Sequence, residues 1–137
     1  MAGCVFCQIA AGDLPARVVC EDEHTLGFLD RTPLFPGHVL LMPKVHVETL
    51  ADLPDDLVQP LFSRARQLSA AMESALDAAG SFVAINNKVS QSVPHLHVHV
   101  VPRSRKDGLK GFFWPRNQYT DAAHADDVAA TLRAALA

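Results

Sequence analysis

The sequence predicts an α+β domain, and three observations predict it. Five short apolar runs, each bounded by turn residues, read as strands. A long stretch between the third and fourth runs repeats its apolar residues at helical spacing, and a second helical stretch ends the chain. At 137 residues, with 49% hydrophobic and 20% charged content, the chain has room for one real core and not comfortably for two. Residues 1–137 are therefore read as a single domain.

Taken in order, Cys4 and Cys7 form a Cys-x-x-Cys pair, and Gly12-Asp13 with Pro15 punctuate a turn. Val18 to Cys20 is the first strand, with Cys20 a small buried hydrophobe. Glu21 to His24 is a charged turn with His24 facing solvent. Thr25 to Leu29 is the second strand, ending at Asp30-Arg31. Pro33, Pro36 and Gly37 make the next link irregular. His38 to Met42 is the third strand, stopped by Pro43, and His38 at its start is given a structural role.

Pro54 to Ala79 is the long helix. Leu57, Leu61, Ala65, Leu68, Met72, Ala75 and Leu76 recur at three- and four-residue steps, Asp52 is placed to cap the start, and Gly80 suits the C′ position. Ser81 to Asn86 is the fourth strand and Lys88 to Pro94 a polar loop. His95 to Val101 is the fifth strand, forming an antiparallel hairpin with its neighbour. Arg103 to Tyr119 then carries five basic residues, two glycines and Phe112-Phe113-Trp114-Pro115, and is expected to wrap over the surface. Asp121 to Ala137 reads as a C-terminal helix, with His124 solvated.

The formal charge of −3 gives no basic footprint, which argues against duplex DNA or long RNA as a partner. The first residues lack the basic and apolar regions of a secretory signal, and no apolar run is long enough to span a bilayer. Three cysteines fit poorly with a disulfide framework, so reduced thiols in a cytoplasmic setting are expected.

The stretch His95-Leu96-His97-Val98-His99-Val100-Val101 carries the strongest chemical signal. In an extended chain, alternate side chains share a face, so the three imidazoles line one side while Leu96, Val98 and Val100 line the other. Solvated strand faces usually draw Thr, Lys or Glu, and three imidazoles in register make a poor accident. Neutral imidazole is a good nucleophile and acid–base group near pH 7. It can attack phosphorus if one ring nitrogen is free and the other is held by an acceptor, with donors nearby for the phosphate oxygens. Asn86, Gln91, Ser92 and His99 can converge on one phosphate beside His97. Cys4 and Cys7 supply half of a tetrahedral zinc site, with His46 and His95 as candidates to close it. A redox-active or idle pair remains open, although the thioredoxin setting is missing because no strand precedes the pair and no evident helix opens at it.

Gln91-Ser92-Val93-Pro94 followed by that histidine run resembles the signature of the histidine triad (HIT) nucleotide-binding family, His-φ-His-φ-His-φ-φ with φ apolar. Cys4-Val5-Phe6-Cys7, Glu21 to His24, Phe28-Leu29-Asp30, Gly37-His38, Pro43-Lys44-x-His46 and Asn86 follow the family's usual order. The resemblance covers a core of 4–103 and leaves 104–137 as a C-terminal extension. It implies an antiparallel sheet of about five strands with a long helix, assembled as a homodimer. It also implies cleavage at the α-phosphate of purine nucleoside phosphoramidates or dinucleoside polyphosphates through a covalent nucleotidyl-histidine intermediate. By position, His97 is the nucleophile and His99, Ser92, Gln91 and Asn86 contact phosphate. Asp30 holds the ribose hydroxyls, and Val5, Phe6, Ile9 and Phe28 surround the base. Cys4, Cys7, His46 and His95 match the zinc ligands. Three departures stand out: Ser90 where the family often has Gly before Gln-Ser, Asn86-Asn87-Lys88 where Asn-x-Gly is common, and Arg103 to Tyr119, which matches neither well-known subgroup and whose basic and aromatic residues could meet the far half of a dinucleotide or the other subunit's site. His99, in place of the Gln of the nucleotidyltransferase branch, favours hydrolysis. The alternatives are a nucleotidyltransferase or phosphorylase of dinucleoside polyphosphates and a non-catalytic nucleotide-binding protein.

Overall fold

The computed structural model describes residues 3–109 and 116–137. The chain falls into two compact units, Met1–Asp107 and Gly108–Ala137. The aromatic run Phe112-Phe113-Trp114-Pro115 lies outside the described residues.

In the first unit, β1 (Val18–Glu21), β2 (Thr25–Leu29), β3 (Val39–Pro43), β4 (Gly80–Ile85) and β5 (Val98–Arg103) form one antiparallel sheet, ordered β1-β2-β3-β5-β4. All five residues of β3 are buried. The strand is central and covered on both faces, so its sequence is apolar throughout instead of alternating. On one face, Val39, Leu41, Leu96, Val98 and Val100 meet Leu57, Leu61, Ala65, Leu68 and Met72 of α2 (Asp55–Leu76). On the other, Leu26, Phe28, Leu40 and Met42 meet Cys4 and Phe6 at α1 (Val5–Ala10). The two faces thus take opposite members of the same alternation.

Several boundaries differ from the sequence expectation, each for a local reason. A helix does open at the Cys-x-x-Cys pair: Cys4 is the N-cap of α1, and its Sγ accepts the Cys7 N–H at 3.4 Å. Asp52 caps a 3-10 turn (Leu50–Asp52) and not the long helix, with its carboxylate taking the Thr49 N–H and hydroxyl at 3.1 and 2.8 Å. The long helix ends at Asp77, which takes the left-handed conformation at φ 57°. Asp tolerates that region better than most residues, so Gly80 is released to begin β4. The fifth strand begins at Val98 and not at His95. Before it, Leu96 N–H reaches the Val47 carbonyl at 2.7 Å and His95 N–H the Val93 carbonyl at 2.8 Å, so this lead-in leaves the ladder with β4.

Gly37 turns the chain into β3 at φ +102°, a left-handed conformation that favours glycine. In the second unit, α3 (Ala122–Leu136) is capped by Asp121, whose carboxylate accepts the His124 N–H at 2.8 Å. Among the described residues no helix is long and apolar enough to cross a membrane.

Candidate active site

The lead-in to β5 puts its histidines on the α1 side of the sheet. His95 is fully buried, and its Nε2–H donates to the Pro43 carbonyl at 2.8 Å. That bond leaves Nδ1 as a lone pair aimed at two thiols, with Cys4 Sγ and Cys7 Sγ each 3.5 Å away. His46, in the link after β3, brings its Nδ1 within 3.3 Å of Cys7 Sγ. The four ligand atoms lie within 4.8 Å of one another and could hold a metal ion. They come from α1 and its cap, the β3 link and the β5 lead-in, so a bound ion would cross-link three segments of the chain.

His97 is also buried, and its Nδ1–H donates to the His95 carbonyl at 2.7 Å. This fixes the tautomer: the other nitrogen, Nε2, carries the lone pair, and His97 lines a cleft. Burial lowers the basicity of this imidazole, against the opposing effects of the His95 carbonyl and Asp30, so the ring is neutral near pH 7. Phe6 fixes the ring plane, packing edge-on to it with centroids 5.0 Å apart.

His99 is oriented by a residue that the sequence left as structural. Leu34 N–H donates to His38 Nδ1 at 3.1 Å, which obliges His38 to carry its proton on Nε2. His38 Nε2–H then donates to His99 Nδ1 at 2.9 Å. A neutral His99 must therefore carry its own proton on Nε2, as a donor. Its pKa is held down to about 4, first by burial and then by the neighbouring His97 and His38, against the pull of Asp30. His99 and His97 lie with ring centroids 5.0 Å apart. Asp30, His38 and His99 also gather within 4.8 Å, but the His38–His99 hydrogen bond already occupies two of their nitrogens.

The cleft has a volume of about 1170 Å³, ample for a nucleotide. Its apolar wall comes from Val5, Phe6 and Ile9 of α1, with Phe28 of β2 and Leu40 of β3. Its polar groups include Asp30, Ser92, His97 and His99. Asp30 Oδ1 accepts the Thr32 N–H at 2.9 Å, which holds the carboxylate in place after β2. The arrangement combines a neutral imidazole with an unprotonated nitrogen, the His99 N–H and Ser92 hydroxyl, a carboxylate and an apolar slot.

Of the candidate residues, Val5, Phe6, Ile9, Phe28, Asp30, Ser92, His97 and His99 all line this cleft. Asn86 and Gln91 are not among its lining. The Gln91 amide instead accepts the Lys88 N–H at 2.9 Å and donates to the Glu48 carbonyl at 2.6 Å. Leu14, Pro15, Ala16, Arg17, Thr32 and Val93 also line the cleft. The only sequence signal at Leu14-Pro15 was a turn, and nothing local said which way that turn faces.

Comparison with known proteins agrees with this geometry. A family model described as the HIT domain matches residues 11–106. The chain is 37% identical over 126 residues to Protein hit of Bacillus subtilis, covering 90% of this chain and 82% of that one. It is 36% identical over 110 residues to adenosine 5′-monophosphoramidase HNT1 of Saccharomyces cerevisiae, covering 79% and 68%. The crystal structure of a Zn-bound histidine triad family protein from Mycobacterium smegmatis superposes with a TM-score of 0.75 at 35% identity, covering 94% of this chain and 98% of that one.

Proposed function

The chain belongs to the histidine triad (HIT) family, and we propose that it is a nucleotide-binding hydrolase that cleaves at the α-phosphate of purine nucleoside phosphoramidates or dinucleoside polyphosphates. One observation carries the reading: the His97 Nδ1–H is committed to the His95 carbonyl at 2.7 Å, which leaves Nε2 basic at the cleft. In the first step Nε2 attacks the α-phosphorus, an N–P bond forms, and the bond to the leaving group breaks; a phosphate leaves as its anion, whereas an amine takes up a proton from solvent as it leaves. In the second step water attacks the nucleotidyl-His97, the N–P bond breaks, and the nucleoside monophosphate leaves with a proton released to solvent. His99 Nε2–H and the Ser92 hydroxyl donate to the phosphate oxygens. Asp30 accepts from the ribose hydroxyls, and Val5, Phe6, Ile9 and Phe28 sandwich the base. The monophosphoramidase named among its relatives supports the reaction class.

Zinc suits the Cys4, Cys7, His46 and His95 cluster. A tetrahedral zinc with bonds of about 2.3 Å to sulfur and 2.0 Å to nitrogen has S···N edges of about 3.5 Å. The Cys4–His95, Cys7–His95 and Cys7–His46 S···N separations are 3.3 to 3.5 Å. Bound there, zinc supplies a structural cross-link and takes no part in phosphoryl transfer. Free Cys4, Cys7 and Cys20 suit a reducing, cytoplasmic setting. The outer edge of β4, with Val83 exposed, and Val58 and Phe62 exposed on the neighbouring α2 support assembly as a homodimer.

Product analysis of metal-quantified protein over a panel of adenosine phosphoramidates and diadenosine polyphosphates tests the reaction. Release of AMP, unchanged by added inorganic phosphate, is the expected result. A diphosphate product formed only with phosphate present would mean a phosphorylase, and tight binding without turnover would mean a binding protein.

A further inference from the structure

We propose that Gln91 is a positioning residue that clamps the loop presenting Ser92 to the cleft, and that it does not itself touch the substrate phosphate. The inference rests on the hydrolase reading for its activity arm but not for its structural arm. Between β4 and the histidines, the chain from Asn86 to Pro94 twice enters the left-handed region with residues that carry a Cβ: Lys88 at φ 67° and Ser90 at φ 60°. Each visit costs such a residue roughly fivefold or more in its conformational equilibrium relative to glycine. A loop with two such positions two residues apart opens unless something holds it.

Besides the backbone bond from Val89 N–H to the Asn87 carbonyl at 2.7 Å, three hydrogen bonds to side-chain amides hold it. Gln91 Oε1 accepts the Lys88 N–H at 2.9 Å, across the span that contains both left-handed residues. Gln91 Nε2 donates to the Glu48 carbonyl at 2.6 Å, tying the loop to the link after β3. Asn87 Oδ1 accepts the Leu50 N–H at 2.8 Å from the same link. The Gln91 amide therefore spends its acceptor and one donor on the backbone. Gln91 is absent from the cleft lining, while Ser92, the next residue, is on it. Ser92 is delivered by a strained loop whose conformation Gln91 maintains.

The clamp and direct contact predict different responses to glycine. If Gln91 acts by holding a strained loop, relieving the strain substitutes for it. If Gln91 binds phosphate, glycine at Lys88 and Ser90 replaces nothing. Four full-length proteins decide this: wild type, Q91A, K88G/S90G and the triple variant. Hydrogen exchange of amides 87–92 is followed in nucleotide-free protein, and kcat/KM is measured on an adenosine phosphoramidate.

Q91A is expected to exchange faster across the loop and to lose about 10- to 30-fold in kcat/KM. K88G/S90G on its own leaves turnover within about twofold, and the triple variant recovers most of both losses, since relief is worth about fivefold per residue. The same glycine pair should not rescue S92A, which lacks the hydroxyl being positioned. Restored protection without restored turnover in the triple variant would overturn the proposal, because Gln91 would then act on the substrate directly. Unchanged loop exchange in Q91A would overturn it as well. If wild-type protein turns over nothing in the panel, the hydrolase reading fails, and loop exchange alone decides the clamp.

Discussion

Phe6 joins stability to nucleotide binding, and its replacement separates the two contributions. Phe6 is the single buried residue of α1 and is only 5% exposed. Its ring stands edge-on to Phe28, His97 and His95, with centroid distances of 5.3, 5.0 and 5.9 Å. A six-residue helix has no stability of its own, so α1 stays docked through this side chain and the thiols beside it. Phe6→Ala should cost about 3–5 kcal/mol, through lost burial, the cavity left behind and the lost aromatic pairs. That is a large share of the roughly 5–15 kcal/mol that holds a domain of this size together. Melting should fall by roughly 10–20 °C. Phe6→Leu, which refills most of the volume, should cost less than about 2 kcal/mol. Val5, on the same helix, is 48% exposed at the cleft. Val5→Ala should therefore leave urea unfolding nearly unchanged while weakening AMP binding by about three- to tenfold, as expected for one or two methyl groups withdrawn from the base. Urea titration and calorimetric AMP binding on the three variants measure both effects. A loss below about 1 kcal/mol in Phe6→Ala, or unchanged AMP affinity in Val5→Ala, would refute the placement of α1 as the wall of a nucleotide slot.

Three further outcomes follow from the site. His99 has its pKa depressed from 6.5 to about 4 in the folded protein. The unfolded chain therefore binds more protons between those values, so His99 contributes a decline in stability on the order of 2–3 kcal/mol as pH falls from about 6.5 to about 4, and Asp22, whose carboxylate the Arg64 guanidinium holds well below its usual range, continues the decline at lower pH. Urea midpoints flat across that window would contradict this. Stripping metal from loaded protein with a strong chelator should lower the melting temperature before it lowers turnover per folded molecule, and Cys7→Ser should mimic the loss; metal-loaded protein whose melting ignores the chelator has no structural ion at Cys4, Cys7, His46 and His95. Asp30→Asn should weaken AMP binding by about tenfold, yet leave 2′,3′-dideoxy-AMP unaffected, if the carboxylate holds the ribose hydroxyls; equal losses for both ligands would move Asp30 to another role.

What the sequence made legible is what local periodicity encodes. A period of two placed His95, His97 and His99 on one side and Leu96, Val98 and Val100 on the other. That division holds even though regular pairing begins only at Val98. Helical spacing found the buried stripe of α2. The misplaced boundaries belong to residues with two plausible uses: Asp52 serves Thr49, and Asp77 takes the left-handed turn that Gly80 seemed suited for.

The role of His38 was hidden because it depends on contacts the sequence does not bring together. Its partner His99 is 61 residues away, and its tautomer is set by the Leu34 backbone, so nothing around Gly37-His38 signals a function. The same holds for Gln91. An amide beside a serine suits a phosphate or a backbone equally well, and only the folded loop shows where it points. Resemblance supplied what periodicity does not, bringing Cys4, Cys7, His46 and His95 together across 91 residues, and the folded chain gathers the same four.

Trapping the covalent intermediate decides whether His97 Nε2 is the nucleophile. Protein mixed with an adenosine phosphoramidate, quenched within milliseconds at a pH that preserves phospho-imidazole, is digested and mapped by mass spectrometry. One AMP adduct is expected, on His97, forming and decaying at rates consistent with turnover. Folded His97→Ala should show neither adduct nor turnover. An adduct on another residue, or undiminished turnover by His97→Ala, would contradict that role for His97.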